Sequence, residues 1–235
     1  MTGPQDYIGE ELGLFLHATN WKRYFAARCG PYVRGAVLDA GCGLGANAEH
    51  LWNDTVTGWT FLEPDRRLLD QVPANAPAHV VERSQRIHGT TADLPSVPTY
   101  DTILYLDVIE HIEQSRAELA RAFQLLRPGG HLVILVPAFN MLYSPFDKAI
   151  GHFRRYDKAM LRAELPPGGR IARLEYLDSL AFFMSLANKW VLGQRYPTLK
   201  QVMFWDRTIV PLSRLADPML FHTFGKSLLC ACQRP

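Results

Sequence analysis

Short apolar runs alternate with amphipathic stretches over most of the chain. The runs predict strands, because a few consecutive apolar residues suit a strand that is buried on both faces. The predicted strands are 36–39, 59–63, 85–88, 102–106, 131–136, 170–176 and 226–232. The predicted helices between them are 45–53, 66–82 (broken by two prolines), 108–126 and 158–164. This alternation predicts an α/β fold with a parallel sheet and helices on both faces.

Two further helical segments flank this pattern. Residues 8–30 carry apolar and aromatic positions that predict one or two N-terminal helices, ended by Gly30-Pro31. Residues 180–220 predict an interrupted helical stretch, which is too long for a hairpin and is expected to cap the sheet's C-terminal edge. We therefore expect one domain over 1–235: an N-terminal helical segment (1–33), a core (34–178), a helical cap insert (179–225) and a last strand (226–235).

Composition indicates an ordinary globular protein. The 235 residues are 48% hydrophobic and 20% charged, which argues against disorder. No run of 18 apolar residues predicts a membrane span, and no leader peptide is recognisable. Four cysteines are too few for a disulfide scaffold in a chain of this length, so we expect a cytoplasmic protein.

Charge is unevenly distributed along the chain. Residues 1–150 hold 12 Lys/Arg and 17 Asp/Glu, whereas residues 151–235 hold 13 and 6. The net charge of +2 argues against a nucleic-acid binder that relies on bulk positive charge. The basic C-terminal third favours an anionic substrate or a membrane surface, although solvated surface cations explain it equally well.

A glycine-rich turn follows the first predicted strand. The run VLDAGCGLG (37–45) passes from strand to turn to helix, where glycine lets the backbone approach a ligand. Glu63, 22 residues beyond Gly41, ends the next strand and can accept hydrogen bonds from ribose hydroxyls. Asp39 would repel a pyrophosphate but suits a cofactor with an ammonium group; its alternative role is to cap the following helix. The turn LRPGG (126–130) lies downstream, between a helix and an apolar strand.

Together these motifs resemble the class I S-adenosylmethionine-dependent methyltransferases over residues 35–178. The resemblance implies a Rossmann-like, seven-stranded mixed sheet whose last strand is antiparallel, with S-adenosylmethionine as the cofactor. It implies that the glycine turn cradles the methionine part, that Glu63 holds the ribose, and that segment 89–95 brackets the adenine through Thr90, Thr91 or Asp93. The cofactor-binding residues it implies are Asp39, Ala40, Gly41, Gly43, Glu63, Pro64, Thr90, Thr91 and Asp107.

A second polar cluster follows the fourth predicted strand. Asp107, Glu110 and His111, at spacing i, i+3, i+4, share one face of a predicted helix start. His152 lies in the loop after the fifth strand, within the run GHFRRY (151–156). Two carboxylates and two histidines can hold a divalent cation. The alternatives are a histidine general base without metal, and packing of these side chains against the cofactor or a loop.

The acid-x-x-Glu-His run resembles that of two metal-using branches of the family. These are the small-RNA 3′-end 2′-O-methyltransferases and the ubiquinone-pathway O-methyltransferases. The resemblance implies a Mg²⁺ or Mn²⁺ site made by Asp107, Glu110, His111 and His152, at which a substrate hydroxyl is acidified. The runs GHFRRY and Gly225-Lys226-Ser227 also resemble those of a bacterial methyltransferase group of the small-molecule type. This resemblance implies a role in bacterial secondary metabolism.

The loop after the fifth strand also supplies candidate substrate residues. Arg154 and Arg155 can clamp a phosphate or carboxylate through the planar guanidinium group, or instead form an ion pair with Asp147 or Asp157. Tyr143 and Phe146 can line an acceptor pocket or form local core. The same two roles are open to large residues of the cap, namely Phe182, Phe183, Met184, Trp190, Phe204 and Trp205.

We therefore predict an S-adenosylmethionine-dependent methyltransferase that acts on an oxygen of a small molecule, either anionic or apolar. His111 and His152 are the predicted catalytic residues, with Glu110 as an orienting group or metal ligand. The alternatives are an N- or C-methyltransferase with a histidine base, a nicotinamide-dependent oxidoreductase, and a non-catalytic cofactor-binding scaffold. An RNA substrate is disfavoured by the near-neutral charge, and a homo-oligomer is compatible with the sequence.

Overall fold

Seven strands form a single sheet in the computed structural model, which describes residues 10–187 and 196–235. The strands are β1 (Gly35–Ala40), β2 (Val56–Glu63), β3 (Ser84–His88), β4 (Tyr100–Leu106), β5 (Leu126–Pro137), β6 (Arg170–Leu177) and β7 (Ser227–Gln233). Their order is β3-β2-β1-β4-β5-β7-β6. Strands β1 to β5 run parallel, and β7 is antiparallel to both β5 and β6. The predicted α/β class and seven-stranded mixed sheet are confirmed.

Helices cover both faces of the sheet. They are α1 (Glu10–Phe15), α2 (Thr19–Cys29), α3 (Ala48–Leu51), α4 (Arg66–Leu69), α5 (Val72–Asn75), α6 (Ala78–Val81), α7 (Ser115–Leu125), α8 (Pro145–Ala149), α9 (Lys158–Glu164), α10 (Ser179–Ala187), α11 (Leu199–Phe204) and α12 (Val210–Met219). None of the helices in the two described ranges is long and apolar enough to cross a lipid bilayer.

Two predicted helices are shorter than the sequence pattern indicates. The predicted helix 45–53 is reduced to α3, because the turn after β1 extends through Gly45, whose φ is +74°. The predicted helix 108–126 divides into a 3₁₀ turn, Ile109–His111, and α7. The backbone leaves that turn to meet the loop after β5, where the Phe153 N–H donates to the Glu110 carbonyl (2.8 Å).

The strands bury alternate side chains on opposite faces, so the core has two layers. One layer includes Trp59 and Phe61 and packs under α2 and the cap. The other includes Ile103, Tyr105 and Ile134 and packs under α7 and α9. The sheet is thus covered on both faces, as the continuous apolar runs predict.

Candidate active site

A cavity of about 790 Å³ opens at the carboxyl ends of β1, β2, β4 and β5. The chain leaves β1 toward β2 and leaves β4 toward β5, so the strand order reverses between β1 and β4. Open parallel sheets bind ligands at such a reversal. The volume falls within the range of roughly 300–1,000 Å³ that is typical of small-molecule and cofactor sites.

The predicted glycine turn forms one wall of this cavity. Gly41 and Gly43 line it, and both have positive φ (+69° and +54°), a conformation that glycine adopts at little cost. A Cβ on Gly41 would lie 2.8 Å from a methyl carbon of Val108, so the turn after β1 is pressed against the segment after β4. This close approach requires glycine at position 41. It also places the predicted glycine turn beside the predicted polar cluster that follows β4.

Glu63 occupies the end of β2 and is almost fully buried. Its carboxylate accepts hydrogen bonds from the backbone N–H groups of Gly43 (2.8 Å) and Asp65 (3.0 Å). Burial raises the pKa of this carboxyl, while these two hydrogen bonds oppose the shift. Each carboxylate oxygen has a second acceptor position, so Glu63 can receive two hydroxyl groups of a ligand in the cavity.

Asp39 is not among the residues that line the cavity. Its side chain is buried within the sheet, and Oδ2 has no hydrogen-bond partner in the described ranges. Burial raises the pKa of this carboxyl to about 7. The other predicted cofactor residues of this region, Ala40 and Pro64, do line the cavity.

Thr90 and Thr91 line the far side of the same cavity, whereas Asp93 does not. The Thr90 and Asp93 side chains form a capping box that fixes the turn. The buried Thr91 hydroxyl donates to the carboxylate of Glu118 on α7 (2.9 Å). Of the three predicted adenine-contacting residues, two are therefore placed to contact a ligand.

Glu110, His111 and His152 converge on one point of the cavity wall. Each offers a ligand atom, and these atoms all lie within 4.8 Å of one another. The Glu110 side chain is fully buried, and neither carboxylate oxygen has a hydrogen-bond partner among the described residues. Burial, followed by the charge of Asp107, raises the pKa of Glu110 well above its usual range. Burial and the neighbouring His152 lower the pKa of His111 to about 4, so His111 is neutral at physiological pH.

His152 is held by Asp147, a residue that the sequence analysis considered only as an ion-pair partner. Nδ1 of His152 lies 2.9 Å from Oδ1 of Asp147, and Nε2 lies 3.8 Å from Oε1 of Glu110. Arg155 donates two further hydrogen bonds to Asp147 through Nε (2.8 Å) and Nη2 (3.0 Å).

These contacts determine the protonation states of Asp147 and of the two ring nitrogens of His152. Burial alone would raise the pKa of Asp147, but the hydrogen bonds from His152 and Arg155 and the guanidinium charge hold it well below its usual range. Because an ionised carboxylate only accepts, Nδ1 of His152 carries a hydrogen. Nε2 therefore faces Glu110 and the cavity.

Asp107 directly follows β4 with a positive φ of +57°, and its side chain is exposed to the cavity. Partial desolvation within the cavity raises the pKa of its carboxyl to about 6, against the opposing charges of His152 and Lys226. Asp107 is absent from the three-residue cluster of converging ligand atoms. Of the four predicted metal ligands, three therefore meet.

The predicted substrate residues are placed differently from one another. Arg155 and Phe146 line the cavity. Arg154 does not, because its guanidinium donates to the Ser115 hydroxyl (2.7 Å) and to the Glu113 carbonyl (2.7 Å). Tyr143 is also absent from the lining, and its hydroxyl donates to the His152 carbonyl (2.6 Å). Tyr143 thus supports the histidine loop from behind.

Several lining residues were missed by sequence reasoning. Lys226, at the start of β7, reaches the cavity with its ammonium group 4.5 Å from the centre of the Trp205 ring. Leu12 and Phe15 of α1 also line the cavity. Trp205 comes from the cap, as the sequence allows, whereas Trp190 lies outside the described residues. In the sequence, only the aromatic residues of these segments indicated a role. The spacing of these segments along the chain does not show where they lie relative to the sheet.

Comparisons with known proteins agree with this geometry. The profile of a family described as "Methyltransferase domain" matches residues 18–168. A Mycolicibacterium smegmatis protein named as a probable S-adenosylmethionine-dependent methyltransferase is 30% identical over 149 residues, or 63% of this chain and 54% of that protein. A ubiquinone biosynthesis O-methyltransferase from Rhizobium leguminosarum is 26% identical over 172 residues, covering 67% of this chain and 66% of the relative.

The fold also has close structural counterparts. One is a chain from the complex between a Haloferax volcanii methyltransferase activator and a methyltransferase. It superposes on this chain with a TM-score of 0.68 at 15% identity, and the superposition covers 100% of this chain and 99% of that chain. At that identity the likeness shows the fold alone. The chain spans about half to two thirds of the length of the curated relatives that it matches.

Proposed function

Since the chain belongs to the methyltransferase-domain family, whose cofactor is S-adenosylmethionine, we propose that it methylates an oxygen of a small molecule bound in the cavity. The observation that carries the proposal is the convergence of Glu110, His111 and His152 on the cavity that also contains the glycine turn. The O-methyltransferase relatives support an oxygen acceptor. The paired groups His152–Asp147 support a reaction in which a proton is removed.

The residues at the carboxyl ends of β1 and β2 fit the cofactor. S-adenosylmethionine supplies a methyl group activated by a positively charged sulfur. The absent side chains of Gly41 and Gly43 leave room for close backbone approach, and Glu63 can accept hydrogen bonds from both ribose hydroxyls. Ala40, Pro64, Thr90 and Thr91 complete this wall. The protein's main contribution is then alignment of donor and acceptor.

Proton removal from the acceptor is assigned to His152. Nδ1–H donates to Asp147, which keeps the ring oriented and stabilises the imidazolium that forms when Nε2 takes a proton. Arg155 holds Asp147 in the ionised state. His111 stays neutral, because burial lowers its pKa to about 4, so its lone pair is available to a hydroxyl or to a cation.

A divalent cation is the alternative to the histidine base, because Nε2 of His152 cannot both bind a metal ion and accept a proton. Glu110, His111 and His152 would hold it, with Asp107 facing the same cavity. Leaving a buried carboxylate without a partner is costly, and the unpaired oxygens of Glu110 fit a cation or a proton. One carboxylate and two imidazoles form a mixed oxygen and nitrogen donor set that could hold a divalent transition metal such as Mn²⁺, which would acidify an acceptor hydroxyl.

Calorimetric titration of Mn²⁺ into metal-stripped protein saturated with S-adenosylhomocysteine tests the cation. We expect one site per chain, lost in Glu110→Gln and retained in His131→Ala, which removes a buried histidine that does not line the cavity. If the wild type binds no Mn²⁺, the cation is wrong and the histidine base stands.

Transfer of a labelled methyl group to catechols, phenols and vicinal diols tests the acceptor. Transfer only to amines or carbon acids would contradict O-methylation.

A further inference from the structure

The outer surface of the cap insert, residues 179–225, carries an unusual concentration of apolar side chains. Eight of the twelve exposed large hydrophobic residues in the described ranges belong to this insert, so the exposure is local and not general. They are Phe183 (53% exposed), Met184 (39%), Leu199 (44%), Phe204 (53%), Leu212 (50%), Leu215 (70%), Met219 (79%) and Phe221 (85%). Contiguous apolar patches of this kind mark interaction sites.

One helical run presents most of this surface. Residues 199–219 are continuously helical, since α11 passes through a π-helical turn, Trp205–Ile209, into α12. Leu212, Leu215 and Met219 follow the i, i+3, i+7 spacing of one stripe, and all three are at least half exposed. The polar residues Ser213 and Asp217 of the same helix are fully buried. At these positions the polarity is inverted relative to an ordinary surface helix, while the apolar Val210 of α12 is buried as usual.

Hydrogen bonds to the interior explain the inversion. The Asp206 carboxylate accepts from the backbone N–H groups of Asn20 (3.2 Å) and Trp21 (2.9 Å) in the first turn of α2. Asp217 accepts from the Tyr24 hydroxyl (2.6 Å) and from the Ser179 N–H (2.9 Å) at the start of α10. Turning the helix to bury its apolar stripe would break these bonds. The apolar side must therefore face outward.

The charges around the stripe are all of one sign. Residues 179–225 contain five Lys/Arg and two Asp/Glu. Both acids, Asp206 and Asp217, are buried, whereas Lys200, Arg207 and Arg214 are exposed on the helical run. The outer side of the run therefore combines large apolar groups with cations and presents no carboxylate among its described residues.

We infer that this face, residues 199–221, docks on the surface of an anionic lipid bilayer, with the helical run lying in the plane of the interface. Such an interface accepts apolar side chains that are accompanied by cations, because the apolar groups enter the acyl boundary while the cations contact the phosphate headgroups. A second copy of the chain is a poorer occupant, because a two-fold contact of this face with itself would bring the cations of both copies together without a carboxylate of the face to pair with. The inference rests on the outer side of the cap and is independent of the proposed reaction.

Co-sedimentation with unilamellar vesicles tests the inference. We expect the wild type to bind vesicles containing phosphatidylglycerol, to bind pure phosphatidylcholine at least tenfold more weakly, and to be released by salt. The double variant Leu215→Glu, Met219→Glu should lose at least tenfold in affinity for the anionic vesicles. Val97→Glu is the matched control, because Val97 is 54% exposed but lies outside the cap. Binding of S-adenosylhomocysteine by each variant verifies that the fold is intact.

Two results would overturn the inference. One is a wild type that stays in the supernatant with phosphatidylglycerol vesicles at low salt. The other is a wild type that sediments as a dimer in analytical ultracentrifugation and becomes a monomer in the Leu215→Glu, Met219→Glu variant, since a second copy would then cover the face. Failure of methyl transfer in a separate assay would leave the vesicle result unaffected.

Discussion

Two side chains that line the cavity keep buried polar atoms without a hydrogen-bond partner among the described residues. The unpaired atoms are both carboxylate oxygens of Glu110 and Nη1 of Arg155. Folded proteins rarely leave such groups unpaired. Because Glu110 and Arg155 line the cavity, their unpaired atoms identify the end of the cavity where a polar ligand or cation is expected.

The glycine turn gives a prediction for Gly41→Ala. The new Cβ would lie 2.8 Å from Val108 at a φ of +69°, so the turn must shift away from the cofactor. We expect affinity for S-adenosylhomocysteine to fall at least tenfold, or about 1.4 kcal/mol, by calorimetry. Gly30→Ala is the matched control, because no atom lies within 4 Å of the new Cβ and φ is −51°. Equal affinity in Gly41→Ala and wild type would contradict a cofactor role for the turn.

The affinity of this site for a cation should depend on pH. Burial raises the pKa of Glu110 well above its usual range, and the pKa of Asp107 is about 6. Metal ligands bind in their deprotonated form, so protons compete with a cation for this site. We expect Mn²⁺ affinity to rise from pH 5 to pH 8 and to be accompanied by proton release, measured by calorimetry in buffers of different ionisation enthalpy. Affinity that is independent of pH would contradict Glu110 as a ligand.

At the scale of elements, the loop between β5 and β6 determines the geometry of His152. Helix α8 begins with a capping box between Ser144 and Asp147, and the same Asp147 carboxylate binds His152 and Arg155. Asp147 is fully buried and Arg155 nearly so. Removing one partner of such a pair leaves an uncompensated buried charge.

Asp147→Asn is therefore expected to destabilise the protein by about 3–5 kcal/mol, as measured by urea unfolding. The folded-state pKa of Asp147 lies below its unfolded value, so its contribution is present above about pH 4 and is lost as pH falls through the folded-state pKa. Asp70→Asn breaks the exposed Arg66–Asp70 pair (2.9 Å) and should change stability by less than about 1 kcal/mol. Equal effects of the two substitutions would contradict a structural role for the buried pair.

The strands were predictable because apolar periodicity is a local property. Lys158–Glu164 was predicted with the bounds that the structure has, and β4 and β7 differ by at most two residues at either end. The break of the helix after Asp107 was not predictable, because it depends on a hydrogen bond to Phe153, more than 40 residues away.

The site was predicted in part for the same reason. Residues at or directly after strand ends, such as Glu63 and Asp107, are placed by the sheet, so their motifs indicate their positions. The orientation of Arg154 toward Ser115 and the entry of Lys226 into the cavity depend on tertiary packing, which no spacing along the chain records. The support of His152 by Asp147 required the fold of the loop to be known.

At the scale of the whole molecule, the N-terminal helices, the sheet and the cap meet around one cavity. Phe15 and Trp205 line it and contact each other, with ring centres 6.2 Å apart and nearly perpendicular planes. Asp206 joins the cap to the first turn of α2. A ligand in the cavity therefore contacts segments that are far apart in sequence and should stabilise the entire domain.

Thermal unfolding measures this coupling. S-adenosylhomocysteine at 100 times its Kd should add about 2.7 kcal/mol to the free energy of unfolding. For a domain of this size, that corresponds to a rise in Tm of about 5–10 °C. NADH at the same concentration should leave Tm unchanged, since the Glu63 and Asp107 carboxylates that line the cavity would repel its pyrophosphate. Stabilisation by NADH alone would favour the oxidoreductase alternative.

The most direct test of the cofactor assignment is a calorimetric titration of the purified wild-type chain with S-adenosylhomocysteine and, separately, with NAD⁺. We expect one S-adenosylhomocysteine site per chain, weakened at least tenfold in Glu63→Ala, and no heat of binding with NAD⁺. Saturable binding of NAD⁺, or no binding of S-adenosylhomocysteine by folded protein, would contradict the assignment of the glycine turn and Glu63 to a methyltransferase cofactor.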